Sequence, residues 1–303
     1  MCGIFGIIST QPVNRRDLDS LAKHAEQRGR DSSGLLVISG GRYVVHRADY
    51  RLPRLLKEVS PYASHVVMGH SRLITNGLSD NQPVLSSDVA VLHNGIIVNH
   101  EAVWQHVDRP RKLEIDTEVI AAIAVEHVES GKAVEDLPAR VFDLCRGVAA
   151  CAVAFPRLGK LALFSNNGSL YVGAKEGATY FSSERYPLES VSCTGITEVR
   201  DGIVVDIPAT TDDVTVTERV ERRINLIPGL LTAGNEEKLL EYPRHNLRRC
   251  SKCLLTETMP YIAFDSDGVC NYCRNYKPRN HPKSIEELIE LVKPYRRTEG
   301  PDC

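Results

Sequence analysis

No apolar run in this 303-residue chain is long enough to cross a membrane: the longest nearly unbroken one, Val148 to Phe155, is far short of the roughly 20 residues a membrane helix needs. An excess of charge of one sign is missing too. The 37 Lys and Arg face 39 Asp and Glu, a net charge of −2, so no overall field draws in nucleic acid or an acidic bilayer. The opening residues MCGIFGIIST have neither the basic segment nor the cleavage site of a secretory leader, which predicts a cytoplasmic protein. There is no internal repeat or low-complexity tract, and no GxxxxGK[ST] or GxGxxG loop for phosphates. Tryptophan occurs once, as Trp104, and is read as a core or helix-packing residue.

What is present is an ordinary globular composition, 42% hydrophobic and 25% charged, long enough for one large domain and a small one. Nine cysteines, an odd number in a chain without a leader, argue against a disulfide scaffold. Cys145, Cys151 and Cys193 lie in apolar strand-like or loop surroundings and are expected to be inert packing.

Up to about Ile207 the chain reads as short β-branched strands in runs: Gly3–Ile8, Gly34–Ser39, Tyr43–Arg47, His65–His70, Val89–Asn94, Val148–Phe155, Lys160–Ser165 and Tyr180–Ser183. Helices are predicted at Arg15–Gln27, with Leu18, Leu21, Ala22 and Ala25 on one face, and at Asp116–Ser130, with Val119, Ile120, Ile123, Ala124 and Val128. Strands in runs predict a layered α+β domain rather than a parallel βαβ sheet. Residues 208–246 read as a linker or wrapping arm, with Pro228, Gly229 and Gly234 as breakers. Residues 247–278 are too few for a core of their own and hold four cysteines. Residues 279–303 contain a helix at about Ser284–Lys293, with Ser284 and Glu287 in capping-box spacing.

Cys2 carries the sharpest chemistry. Removal of the initiator methionine puts a thiol and a free α-amine on one residue, and an amine of pKa near 8 can take the thiol proton. Cys2-Gly3-Ile4-Phe5-Gly6 supplies glycines that let a backbone approach closely. Four further segments follow: Arg28-Gly29-Arg30-Asp31-Ser32-Ser33-Gly34, His70-Ser71-Arg72-Leu73-Ile74-Thr75, Asn81-Gln82-Pro83 with His93-Asn94-Gly95, and Asp116-Thr117-Glu118. In this order they resemble the class II glutamine amidotransferases, the N-terminal-nucleophile (Ntn) glutaminases of asparagine synthetase, glucosamine-6-phosphate synthase and the purine amidotransferase, from Cys2 to roughly Ile207.

The resemblance implies a four-layer αββα Ntn-hydrolase sandwich over residues 2–207 that binds glutamine. It implies Cys2 as nucleophile, with Asn94 and the Gly95 amide as oxyanion donors. It further implies Arg72 on the substrate carboxylate, Asp116 on its ammonium, and Thr75, Asn76 and Gly77 lining the pocket. Arg28 and Asp31 are read as ordering the glutamine-binding loop, and His70 and His93 as structural hydrogen-bonders.

Cys250-x2-Cys253 and Cys270-x2-Cys273, sixteen residues apart, have the spacing of a four-cysteine zinc site, and four thiolates leave no open position, so the metal would be structural. An iron–sulfur cluster is the alternative. The segment from Cys250 through Met259-Pro260 and Phe264-Asp265 to Cys273 resembles the zinc element of N-acetyl-sugar amidotransferases of surface-polysaccharide biosynthesis. In those proteins an ATP-pyrophosphatase domain follows, opened by SGGxDS. No such loop occurs here, so ATP and Mg belong to a synthetase domain absent from these residues, in cis or in trans.

The implied function is supply of ammonia from glutamine to an ATP-dependent amidation of an N-acetyl sugar or related metabolite, with an amino-acid carboxylate as the alternative acceptor. A rival of another class is a nucleic-acid-binding zinc ribbon. Arg244, Arg248, Arg249, Lys252, Arg274, Lys277, Arg279 and Lys283 outnumber Glu257, Asp265 and Asp267, with Tyr261, Tyr272 and Tyr276 interleaved. The near-neutral chain disfavours it.

Overall fold

The computed structural model describes residues 2–39, 42–75, 77, 80–207, 214–218, 247–277 and 283–297. The chain divides into two units, Met1–Ile227 and Pro228–Cys303.

The first unit contains strands β1 (Gly3–Ile8), β2 (Ser32–Ser39), β3 (Arg42–Ala48), β4 (Val66–Arg72), β5 (Val84–Ser86), β6 (Val89–Ile97), β7 (Gly147–Phe155), β8 (Lys160–Ser165), β9 (Tyr171–Lys175), β10 (Ala178–Ser182), β11 (Thr194–Glu198), β12 (Ile203–Asp206) and β13 (Val214–Glu218). Its helices are α1 (Arg15–Arg28), α2 (Leu52–Val59), α3 (His100–Trp104), α4 (Thr117–Glu129), α5 (Leu137–Leu144) and α6 (Arg185–Ser190). One sheet runs β11-β9-β10-β1-β4-β2-β3-β13 and the other β12-β8-β7-β6-β5. Every pairing is antiparallel except that of β13 with β3.

The layers follow from side-chain alternation. Along β1, Ile4 and Ile8 join the core between the sheets, while Phe5 and Ile7 pack with α1 residues Leu18, Leu21, Ala22 and Ala25. On the second sheet, Ala90 and Leu92 of β6 and Ala150, Ala152 and Ala154 of β7 face the first sheet. Their alternates Val89, Val91, Cys151 and Val153 pack with α4 and α5. Strands buried on both faces are therefore apolar almost throughout. Alanines on the inner face of β7 let the sheets approach.

Asn14 caps α1, its side chain accepting from the Arg16 and Asp17 amides at 3.0 and 3.2 Å. In α4 all seven residues Val119–Val125 are buried, so more than the expected single stripe is covered.

One stretch of the segment read as a linker or wrapping arm is a strand. Val214–Glu218 extends the sheet edge as β13, in register with Tyr43–Arg47 of β3, because an open edge offers unpaired backbone groups to any nearby extended chain. Residues 208–213 and 219–246, with Pro228, Gly229 and Gly234, lie outside the described residues.

In the second unit, isolated bridges pair Arg249 with Thr256 and Phe264 with Cys270. Two helices follow, α7 (Asn271–Asn275) and α8 (Ile285–Val292). Ser284 Oγ accepts from the Glu287 amide at 3.2 Å, as its spacing predicts. No helix among the described residues is long and apolar enough to cross a membrane.

Candidate active site and four-cysteine cluster

Cys2 precedes β1 and is held from three sides. A Cβ on Gly3 would stand 2.5 Å from Ala25 O, so the end of α1 seats directly on the chain start. Arg28 Nε donates to Cys2 O at 2.8 Å and its guanidinium pairs with Glu184. The Cys2 thiol donates to Leu73 O at 3.5 Å. Cys2 is 8% exposed, and burial pushes its thiol pKa up, against the Leu73 contact and the Arg72 guanidinium, which pull it down.

Arg72 ends β4, 2% exposed, its Nη2 donating to Gly77 O at 2.9 Å. Burial lowers its pKa while Cys2, Asp80, Asp116 and Asp31 raise it, so these groups share one electrostatic environment. The loop beyond Arg72 is pinned by Asp31, whose amide donates to Arg72 O at 2.9 Å and whose Oδ2 accepts from Ile74 N at 2.8 Å. Asp31 thus orders the loop as expected, whereas Arg28 acts on the backbone of Cys2 itself. Gly77 turns with φ +56° and a Cβ there would lie 2.6 Å from Ile115 N. Thr75 is exposed, and Asn76 lies outside the described residues.

Asn94 and Gly95 sit on β6, opposite Ala150 and Ala149. Asn94 is fully buried, and neither atom of its side-chain amide has a hydrogen-bond partner among the described residues, which is rare for a buried polar group. Gly95 has φ +157°, and a Cβ would fall 1.8 Å from Val148 O, so only glycine fits. Asp116 is buried just before α4, its Oδ2 accepting from Ile97 N at 2.7 Å.

Between these groups lie two fully buried histidines. Burial pushes His70 down to about 3, helped by Arg72 and His93, and lowers His93 as well. Gln82 and Thr117 bond to His93, and Asp80 Oδ2 caps Glu114 and Ile115 at 2.6 and 3.0 Å. Sequence reading gave Gln82, Asp80 and Thr117 no role. Gln82 and Thr117 fall inside segments it had singled out, but nothing local marks Asp80.

Residues 70–190 match the family model described as a glutamine amidotransferase domain. The Zymomonas mobilis glutamine–fructose-6-phosphate aminotransferase is 32% identical over 197 residues, covering 62% of this chain and 32% of that protein. The Caulobacter vibrioides protein of the same name is 29% identical over 259 residues, covering 81% of this chain and 43% of that one. The chain carries a class II glutamine amidotransferase domain. It spans about a third of the length of the first curated relatives it matches. The fold of the amidotransferase domain is shared with the glutamine phosphoribosylpyrophosphate amidotransferase of B. subtilis, at TM-score 0.56 and 21% identity over 68% of this chain and 47% of that chain. A second solved structure, an allosteric regulatory enzyme of purine biosynthesis, gives TM-score 0.57 and 22% identity with the same coverage.

Beyond the amidotransferase domain, Cys250, Cys253, Cys270 and Cys273 bring their Sγ atoms within 4.8 Å of one another. Cys250 and Cys273 Sγ are 3.9 Å apart, Cys253 and Cys270 Sγ 3.6 Å. A tetrahedral site with metal–sulfur bonds of about 2.3 Å requires sulfurs roughly 3.8 Å apart, so the donor set fits a metal ion. Backbone amides of Lys252 and Cys270 point at Cys250 Sγ at 3.4 and 3.2 Å, and that of Cys273 at Cys270 Sγ at 3.4 Å. At Cys250 burial raises the thiol pKa, but the backbone donors outweigh it and bring it down to about 6.

Proposed function

We propose that this chain hydrolyses the side-chain amide of glutamine and that Cys2 is the nucleophile. The observation that carries the reading is Asn94: a fully buried amide with no hydrogen-bond partner among the described residues, next to a glycine that admits no side chain, in the domain that also buries Cys2, Arg72 and Asp116. After loss of Met1, the Cys2 α-amine takes the thiol proton and Sγ attacks the amide carbon. The oxyanion is received by Asn94 Nδ2 and the Gly95 N–H, both neutral donors that stabilise developing charge without trapping the thiolate. The amine returns the proton to the departing ammonia, leaving a thioester that water cleaves to glutamate. Arg72 holds the substrate carboxylate and Asp116 its ammonium, with Thr75 and Gly77 contributing to the same pocket. The helix, sheet, sheet, helix order of the layers supports the Ntn-hydrolase reading.

The four cysteines hold a structural zinc ion in this reading, and a synthetase domain in cis or in trans supplies ATP, Mg and the acceptor. The acceptor is an N-acetyl sugar or related metabolite, on the likeness of residues 250–273. Replacement Cys2→Ala abolishes ammonia release from glutamine while leaving the circular dichroism spectrum unchanged; residual hydrolysis at the wild-type rate would end the reading.

A further inference from the structure

His93 performs no step of this reaction, yet its ring lies between groups whose placement matters most. It is 1% exposed, with Nε2 3.1 Å from Val148 O and Nδ1 3.2 Å from Thr117 Oγ1 and 4.0 Å from Asp116 Oδ1. A carbonyl oxygen can only accept, so Nε2 carries the proton. Burial keeps the ring neutral, which makes Nδ1 an acceptor, and the Thr117 hydroxyl must donate to it. That hydroxyl accepts in turn from Gln82 Nε2 at 3.1 Å. The same Gln82 amide brackets the His93 backbone, Nε2 donating to His93 O at 3.0 Å and Oε1 accepting from His93 N at 2.6 Å. Val148 O, which cannot donate, thereby places the ring proton on Nε2, and the Thr117 hydroxyl completes the pattern by donating to Nδ1.

Two consequences follow from that pattern. First, Nδ1, its lone pair taken by the Thr117 hydroxyl, has no proton to give Asp116 Oδ1 4.0 Å away. The opposite tautomer would aim an N–H at this carboxylate and compete with any ammonium brought to it; the other oxygen, Oδ2, is already taken by Ile97 N. Second, the Nε2–H bond fixes Val148 O, the same carbonyl packed against Gly95.

We propose that His93 is a positioning residue, held as the neutral Nε2–H tautomer by Val148 O on one side and the Gln82-bonded Thr117 hydroxyl on the other, which keeps Asp116 Oδ1 open for the ammonium group of an amino-acid substrate. The inference rests on the role given to Asp116 above.

Thr117→Val removes the hydroxyl at nearly constant shape. The experiment pairs long-range proton–nitrogen NMR of the full chain labelled at histidine, with the His93 signals assigned by their loss in His93→Gln, and glutaminase kinetics. In the wild type the Nε2–H signature persists from pH 6 to 8. In Thr117→Val, with only Val148 O left to favour it, the Nε2–H form gives way in part to Nδ1–H and the glutamine KM rises roughly three- to tenfold with kcat within about twofold, the size of one hydrogen bond, and Thr117→Ser restores both. A wild-type imidazolium or Nδ1–H signature overturns the inference, as does a Thr117→Val enzyme whose KM is unchanged. The tautomer measurement needs no substrate, so a chain that hydrolyses no glutamine would refute the proposed function while the relay is judged separately.

Discussion

At the scale of single residues, the proposed chemistry separates donors to the transition state from handles on the ground state. Asn94→Ala should lower kcat by about 10²–10³ with little change in glutamine KM, the usual effect of losing one oxyanion donor. Arg72→Lys and Asp116→Asn should chiefly raise KM. Steady-state ammonia release distinguishes the two patterns, and an Asn94→Ala effect confined to KM would exchange the roles.

The buried histidines give a second residue-scale prediction. The folded pKa of His70 is about 3, below the ordinary 6.5, so the folded state binds fewer protons than the unfolded chain between those values. Its contribution to stability is complete above pH 6.5 and is lost as pH falls toward 3. Between pH 7.5 and 5.5 this group should cost about 1.4 kcal/mol, read from denaturant unfolding. His70→Gln should flatten the slope, and equal slopes in both proteins would contradict it. The candidate residues were legible one by one because each stands in a short ordered segment. The relay among Gln82, His93 and Thr117 was not, because it joins positions far apart in sequence through burial alone.

At the scale of elements, what could be read was what is long and periodic. The strands around Ile4, Leu35, Val67, Leu92 and Leu163, and helices α1 and α4, lie where the apolar pattern put them. Short strands such as the edge pieces β5, β11 and β12 and the inner β9 escaped because a run of three to five residues has little period of its own and is fixed by its neighbours. Strand β13 fell in a polar segment and owes its conformation to the edge of β3. The four-cysteine element was legible from spacing because ligand geometry is local. Its residues are largely exposed, among them Leu254 at 67% and Tyr261 at 94%, so little apolar burial is left to hold it without a metal. A strong zinc chelator should therefore open residues 247–277 to limited proteolysis and release about one metal ion per chain. Glutamine hydrolysis should persist. Unchanged protection with no metal released would contradict the metal assignment, and elemental analysis separates zinc from iron.

At the scale of the whole molecule, the first unit keeps Cys2 buried at the start of β1, a strand with core on both faces. Such a strand holds the chain terminus in place instead of letting it fray, which a terminal amine acting as base requires. The measurement that bears most directly on this is covalent labelling by an electrophilic glutamine analogue, followed by peptide mass spectrometry, on chains with Met1 removed and with Met1 retained. A single adduct is expected, on Cys2 of the processed chain only, slowed by excess glutamine. Equal labelling of the chain that keeps Met1, or an adduct on any other cysteine, would show that Cys2 is not an N-terminal nucleophile.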